Sequence, residues 1–260
     1  MLGIFPKQRQ KLARALFAAT LSLATSSASE FVPLGDLPGG DNFSVAFDLS
    51  GDGSTVLGIA SDDGGTQIVR WKSDTGFSLV APFDAQTISG DGSTVAGSTF
   101  TDRLTAVLWN EAGGIVSLES PPIDPLTSPF TVALDISGDG STAVGVGATL
   151  ASPFSEALLW NSEGVRELGF LEEDLPEPGF FSFSFANAVS ADGTVVVGAS
   201  SSTKHIDRGE QAYRWTEATG MQPLGFLPEA FESQATVVSA DGALVAGTSG
   251  GAAVRWSEAN

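Results

Sequence analysis

The chain has 260 residues, of which 42% are hydrophobic and none is cysteine, and its formal net charge at pH 7 is −19. So acidic a composition excludes nucleic-acid binding, because phosphate backbones are bound by basic faces. The absence of cysteine excludes disulfides and cysteine zinc sites, and a chain of this length can bury a stable core without them.

The N-terminal segment has the pattern of a secretory signal peptide. Four basic residues between positions 7 and 14 precede a short apolar run at 15–24, and small residues follow at 26–29. This order is typical of export signals, and the run is shorter than the roughly 20 residues of a membrane span. We expect residues 1–29 to be removed and residues 30–260 to form one secreted or periplasmic domain with no transmembrane segment. The alternative is an amphipathic helix of the mature protein.

The mature chain repeats one phrase five times. The phrase is Ser-Gly-Asp-Gly or Ser-Ala-Asp-Gly, a further glycine follows its aspartate by six residues, and one tryptophan lies later in each unit. The phrases occur at 50–53, 89–92, 137–140, 190–193 and 239–242, and the tryptophans at 71, 109, 160, 215 and 256. A period of about 40–50 residues is typical of propellers and solenoids, because one unit cannot bury its own apolar face.

Each unit divides into four short apolar runs between polar, glycine-rich turns. In the first unit these runs predict strands at 43–49, 55–60, 67–72 and 77–80. Four antiparallel strands in a unit of this length form one propeller blade. The phrase predicts a tight turn capped by its aspartate, and the later glycine predicts a bulge or a close approach by a neighbouring layer. The tryptophan is expected to fill the space between adjacent blades.

The two ends of the chain complement each other. No fourth strand follows Trp256, whereas Pro33-Leu34-Gly35 matches Pro223-Leu224-Gly225 in the fourth strand of the fourth unit. We expect the N-terminal segment to pair with the C-terminal blade, which removes two sheet edges. The predicted fold is therefore an all-β propeller of five four-stranded blades, closed by its N-terminal strand. An open array or a truncated larger propeller is the alternative.

With the units aligned, the chain resembles the HAF-type extracellular repeat family of bacteria. The resemblance rests on the residues at 188–193 with Gly198, at 212–215 and at 224–227, and it covers essentially the whole mature chain. It implies an exported repeat protein without an assigned reaction. The histidine of the family's His-Ala-Phe motif is replaced here by Gln211, so no role of that histidine carries over.

Function is expected on the face of the propeller that carries the variable loops, because loops on a rigid scaffold carry binding groups. Asp41, Asp84 and Glu232 open the innermost strands of three blades there, and they are the candidate ligands for a bound molecule or a metal ion. Calcium is the candidate ion, since it prefers oxygen ligands. Arg208 is a further candidate for ligand binding.

Catalytic candidates are few. Glu173 and Asp174 lie in one acidic connection, and His205 is the only histidine of the chain. Carboxylates can act as acid and base in hydrolysis, whereas a lone histidine needs a partner to act as a base. Asp48 and Asp135 begin stretches that resemble calcium loops, but neither stretch has the closing glutamate, so a tight turn is favoured. The leading hypothesis is a non-enzymatic propeller that binds an extracellular ligand or protein, and the competing one is a calcium-dependent lactonase- or glycosidase-like hydrolase.

Overall fold

The computed structural model describes residues 31–123, 128–152, 154–171, 182–201 and 209–257. Within these residues nineteen β-strands form five antiparallel sheets, one for each unit of the sequence repeat. In each sheet the hydrogen-bonded neighbours are also neighbours in the sequence. In the described part of the chain no helix has the length and apolar character to cross a membrane.

The strand bounds confirm the predicted division into short strands. The first sheet contains β1 (Ser44–Leu49), β2 (Thr55–Asp62), β3 (Gly65–Lys72) and β4 (Gly76–Leu79). The second contains β5 (Asp84–Ile88), β6 (Thr94–Phe100), β7 (Leu104–Asn110) and β8 (Gly114–Ser117). The third contains β9 (Thr131–Ile136), β10 (Ala143–Gly147), β11 (Glu156–Asn161) and β12 (Gly164–Glu167). The fourth contains β13 (Ser184–Val189), β14 (Val195–Ser200), β15 (Gln211–Thr216) and β16 (Gly220–Pro223), and the last contains β17 (Ser233–Val238), β18 (Leu244–Ser249) and β19 (Ala252–Ser257).

The repeated phrase forms the turn between the first two strands of every sheet. In the second sheet Ser89 Oγ donates to Asp91 Oδ1 at 2.6 Å and accepts from the Thr94 N–H at 3.0 Å. Asp91 Oδ1 also accepts from the Ser93 N–H at 2.9 Å. These bonds, with that of the Ser89 hydroxyl foremost, hold the pKa of Asp91 below its usual range. The same bonds recur in the other four units, which confirms the turn prediction.

The second repeated glycine lies opposite a bulge. In the third sheet the register shifts between the pairs Asp135–Val144 and Ala133–Gly145. A Cβ on Gly145 would lie 2.0 Å from the carbonyl oxygen of Val132 on the facing strand, closer than any side chain tolerates. The corresponding distances in the other four units lie between 1.9 and 2.4 Å. The glycine is therefore required by the close backbone approach, as the sequence predicted.

The apolar core of the described residues consists of four clusters, one between each pair of successive sheets. Trp109, Trp160 and Trp215 are buried in the first three clusters, and the partly buried Trp256 packs against the fourth. Each of these rings therefore fills the space between its own sheet and the preceding one, as predicted. Trp71 belongs to the first sheet and is part of none of these clusters.

The first and last sheets keep apolar groups on their outward sides. Val45 and Leu49 of β1 are 46% and 53% exposed, and Val237 of β17 is 56% exposed. Residues 31–43 contain no strand, and the described part of the last sheet has three strands, so ring closure stays a prediction.

One bond of the N-terminal segment has an equivalent in the last sheet. Ser44 Oγ donates to the Gly35 carbonyl at 3.0 Å. The equivalent serine in the last sheet, Ser233, donates to the Gly225 carbonyl at 2.8 Å. The Gly35 carbonyl is therefore bonded to the first residue of β1 as the Gly225 carbonyl is bonded to the first residue of β17.

Candidate functional site

The two edges of the sheets differ in character. We call the edge with the repeated phrase the turn edge. The other edge carries the hairpins between second and third strands and all connections between sheets, and we call it the loop edge. At the turn edge successive phrases are joined by backbone hydrogen bonds, such as the Gly51 N–H to the Gly90 carbonyl at 2.8 Å and the Ala191 N–H to the Ala240 carbonyl at 3.0 Å. This edge is uniform, and its polar backbone groups bond to one another.

The loop edge exposes large apolar side chains. They lie in hairpins of the second and third sheets and in the connection between the fourth and fifth sheets, and each is more than 40% exposed. They are Phe100, Leu150, Phe154, Leu227 and Phe231. Single exposed apolar residues are ordinary, whereas contiguous apolar patches are typical of interaction surfaces.

The acidic candidates Asp41, Asp84 and Glu232 all lie exposed at the loop edge. Asp84 opens β5, Glu232 directly precedes β17, and Asp41 precedes β1 by three residues. Across the described ranges, no three histidine, aspartate or glutamate side chains form a group that could hold a metal ion. The calcium expectation therefore has no ligand set in this part of the chain and stays a prediction from composition. Glu173, Asp174, His205 and Arg208 lie outside the described residues.

A cleft of about 360 Å³ opens at the loop edge of the last sheet, between the β16–β17 connection and the β18–β19 hairpin. We call it the β16–β17 cleft. Its lining includes Leu227, Pro228, Glu229, Phe231 and Glu232. Glu232 was predictable from the sequence as a candidate ligand, but its apolar neighbours were not, because single apolar residues in a connection carry no periodic signal.

Backbone bonds hold the walls of this cleft. The Phe231 carbonyl accepts from the Gly209 N–H at 2.7 Å, and the Glu232 carbonyl accepts from the Gly250 N–H at 3.1 Å. Ser249 Oγ accepts from the Leu227 N–H at 3.0 Å. The connection is thus tied to hairpins of both the fourth and the fifth sheets, so the cleft exists before any partner arrives.

Negative charge concentrates beside the cleft. Glu210 is partly buried, its charge interacts with that of the cleft residue Glu232, and its Oε1 accepts from Gln234 Nε2 at 3.2 Å. Burial, and then the negative charge of Glu232, raise the pKa of Glu210. Two carboxylates that repel each other make this part of the loop edge favourable for a cation.

A second cleft, of about 730 Å³, lies at the turn edge between the third, fourth and fifth sheets. The Arg166 guanidinium lies 5.3 Å from the centre of the Trp215 ring and forms an ion pair with Glu217. Glu163 and Asp241 also line this cleft, beside the Arg166–Glu217 pair. No local spacing in the sequence predicts this cleft, because its walls come from strands and turns of three different units.

Asp48 and Asp135 do not serve the turns that follow them. Asp48 Oδ2 accepts from the Ile88 N–H at 2.7 Å, and Asp135 Oδ2 accepts from the Val189 N–H at 2.8 Å. Each carboxylate thus binds the backbone of the next sheet, while the serine and aspartate that follow it form the tight turn that was predicted in preference to a calcium loop. Burial raises the pKa of Asp135 to about 6.

The arrangement of sheets is similar to that of several solved structures. TolB from Acinetobacter baumannii matches with a TM-score of 0.52 and 14% identity over 82% of this chain and 50% of that protein. A TolB-like protein from Agrobacterium tumefaciens matches with a TM-score of 0.53 and 16% identity, over 80% of this chain and 70% of that protein. Prolyl oligopeptidase B from Galerina marginata matches with a TM-score of 0.51 and 13% identity, over 81% of this chain and 31% of that protein. The chain thus spans half the length of the Acinetobacter protein.

At these identities the similarity shows the fold alone, which is that of a β-propeller. No protein-family model matches the sequence, and no curated protein is similar to it.

Proposed function

We propose that the chain is an exported, non-enzymatic propeller of five blades that binds a protein or other ligand through its loop edge. The observation that carries the proposal is the contrast between the two edges. The turn edge repeats one turn whose polar groups bond to one another, whereas the loop edge varies from unit to unit and carries three exposed phenylalanines, at positions 100, 154 and 231. Burial of such side chains against a partner is favourable at roughly 25 cal/mol per Å² of apolar surface.

Export and membership of the HAF-type repeat family are part of the same proposal. The basic and apolar blocks within residues 1–29 support export, and the repeated phrase with its tryptophan supports the family. A propeller scaffold with variable loops is a common solution for binding, because the loops can change while the sheets stay the same.

Closure of the ring completes the proposal. Ser233 Oγ accepts from the Ala212 N–H at 2.9 Å and donates to Gly225, so it joins the last sheet to the one before it. Ser44 already donates to the equivalent carbonyl, that of Gly35. We propose that Ser44 Oγ also accepts a hydrogen bond from the N–H of Ala253 in β19, as Ser233 Oγ does from Ala212. Residues 31–35 would then supply the fourth strand of the last sheet.

Cross-linking at lysine side chains tests which edge of the sheets contacts a partner protein. Only Lys72 and Lys204 follow the predicted signal peptide. Lys72 ends β3 at the turn edge, whereas Lys204 lies in the sequence between β14 and β15, a connection of the loop edge. An amine-reactive cross-linker is added to the purified protein mixed with proteins exported by the same cells, and linked peptides are identified by mass spectrometry.

We expect links to partner proteins at Lys204 and none at Lys72. The variant K204R should lose them, and K72R is the matched control that should retain them. Links confined to Lys72 would overturn the assignment of the loop edge.

A screen for hydrolysis of esters, lactones and glycosides, with and without calcium, tests the absence of catalysis. We expect no saturable turnover. Turnover that requires calcium would replace the proposal by the hydrolase hypothesis, and Glu173, Asp174 and His205 would be the first residues to replace.

A further inference from the structure

We propose that the β16–β17 cleft binds a lysine or arginine side chain of a partner polypeptide, flanked by an apolar residue of that partner. The inference rests on the proposed function, because it names the chemistry of the partner that the loop edge recognises. Three properties of the cleft carry it, namely its size, its apolar wall and its charge.

The size suits a side chain better than a large molecule. At about 360 Å³ the cleft is near the lower end of the roughly 300–1,000 Å³ range of small-molecule pockets. It is also open along one side, between the β16–β17 connection and the β18–β19 hairpin. One long side chain can enter while the chain that carries it continues along the loop edge.

The apolar wall suits the stem of such a side chain. Leu227, Pro228 and Phe231 line the cleft, and Phe231 is 67% exposed. Lysine and arginine bury their methylene stems against apolar surface while the charged end stays solvated, and arginine also stacks on aromatic rings. A neighbouring apolar residue of the partner would cover the outer part of Phe231.

The charge selects a cation over an anion or a neutral group. Glu229 and Glu232 line the cleft, the charge of Glu210 interacts with that of Glu232, and none of the described lining residues is basic. A partner carboxylate would be repelled, whereas a guanidinium or ammonium group would relieve the repulsion between the existing carboxylates. A bare metal ion is a poorer occupant, since no ligand group for one forms among the described side chains.

Three labelled peptides test the inference by fluorescence anisotropy with the full mature chain. One alternates arginine with leucine, one alternates glutamate with leucine, and one alternates arginine with serine. We expect binding of the arginine–leucine peptide, weak binding of the arginine–serine peptide and none of the glutamate–leucine peptide. Affinity should fall as salt is raised, because the charges at the rim are exposed.

Matched variants locate the binding. The double variant E229Q/E232Q should lower the affinity for the arginine–leucine peptide about fivefold, and F231S should lower it about tenfold. The controls are D74N/E163Q, which removes the same charge at the turn edge, and L244S, which removes an exposed apolar residue there. Both controls should bind within about twofold of the unmodified protein.

Equal weakening by E229Q/E232Q and D74N/E163Q would overturn the inference, because diffuse charge would then explain the binding. Unchanged peptide binding by F231S would contradict the proposed role of the apolar wall. If cross-links at Lys204 persist while neither cleft variant alters peptide binding, this inference fails and the proposed function stands.

Discussion

Replacement of Asp135 by asparagine should change the pH dependence of stability. Asp135 Oδ2 accepts from the Val189 N–H of the next sheet, and its Oδ1 accepts from Ile136 and, at 3.4 Å, from Thr87. Burial, opposed by these hydrogen bonds and reinforced by the charge of Asp48, raises its pKa to about 6 from an ordinary value of 3.8. The folded protein therefore keeps a proton that the unfolded chain has lost.

The sign follows from proton linkage. Between the two pKa values the folded state binds more protons than the unfolded state, so the free energy of unfolding falls as the pH rises. The folded and unfolded pKa values of Asp135 differ by about two units, which corresponds to about 3 kcal/mol of unfolding free energy. This figure is an upper bound, because part of the residue still contacts solvent. Asparagine has no such titration. The free energy of unfolding of D135N relative to the unmodified protein should therefore rise by up to about 3 kcal/mol between about pH 3 and about pH 7.

Urea unfolding followed by tryptophan fluorescence and far-UV circular dichroism measures this difference, provided that the two signals change together. The repeated-phrase aspartates, whose pKa values are lowered, lose their contribution in acid in both proteins and cancel in the comparison. The variant D48N removes a charge that raises the pKa of Asp135, so the loss of stability between acid and neutral pH should shrink. Parallel stability profiles for D135N and the unmodified protein would refute the assignment.

Three further predictions concern the repeat. S89A removes a buried hydroxyl that makes two hydrogen bonds, and it should lower the free energy of urea unfolding by about 1–2 kcal/mol. S93A, at the exposed neighbouring serine, should lower it by less than about 0.5 kcal/mol. Equal losses would contradict the role of the turn. G145A places a Cβ 2.0 Å from a carbonyl oxygen and should lower stability by at least about 1–3 kcal/mol, so an unchanged melting temperature would argue against the bulge. P33C/V254C should form a disulfide under mild oxidation if residues 31–35 close the ring, and free thiols in both positions would count against closure.

The local features of the fold were predictable because their causes are local. Ser89, Asp91 and Gly92 satisfy one another within a few residues, so their spacing alone predicts the turn. The bulge opposite Gly145 follows from the need for a residue without a side chain inside a strand. Strand bounds in the first unit differ from the predicted ones by at most two residues at either end.

Contacts between sheets were not predictable in the same way. Arg70 lies 4.8 Å from the centre of the Trp109 ring and 2.9 Å from Glu111, yet about forty residues separate them in the chain. The partners of Asp48 and Asp135 are likewise backbone groups of the next sheet, and the sequence suggested only a calcium loop or a turn. The apolar wall of the β16–β17 cleft depends on how two hairpins approach one connection, which no spacing encodes.

The bonds between successive turns all run in one direction. In each of the four links an N–H group of one unit donates to a carbonyl of the next, from Gly51 to Gly90 through to Ala191 to Ala240. Every unit between the first and the last therefore presents an N–H group to its successor and a carbonyl group to its predecessor, which is a head-to-tail relation. Duplication of one unit within the gene would create no new kind of contact. These bonds therefore do not by themselves fix the number of blades, which depends on how the apolar clusters pack one sheet against the next.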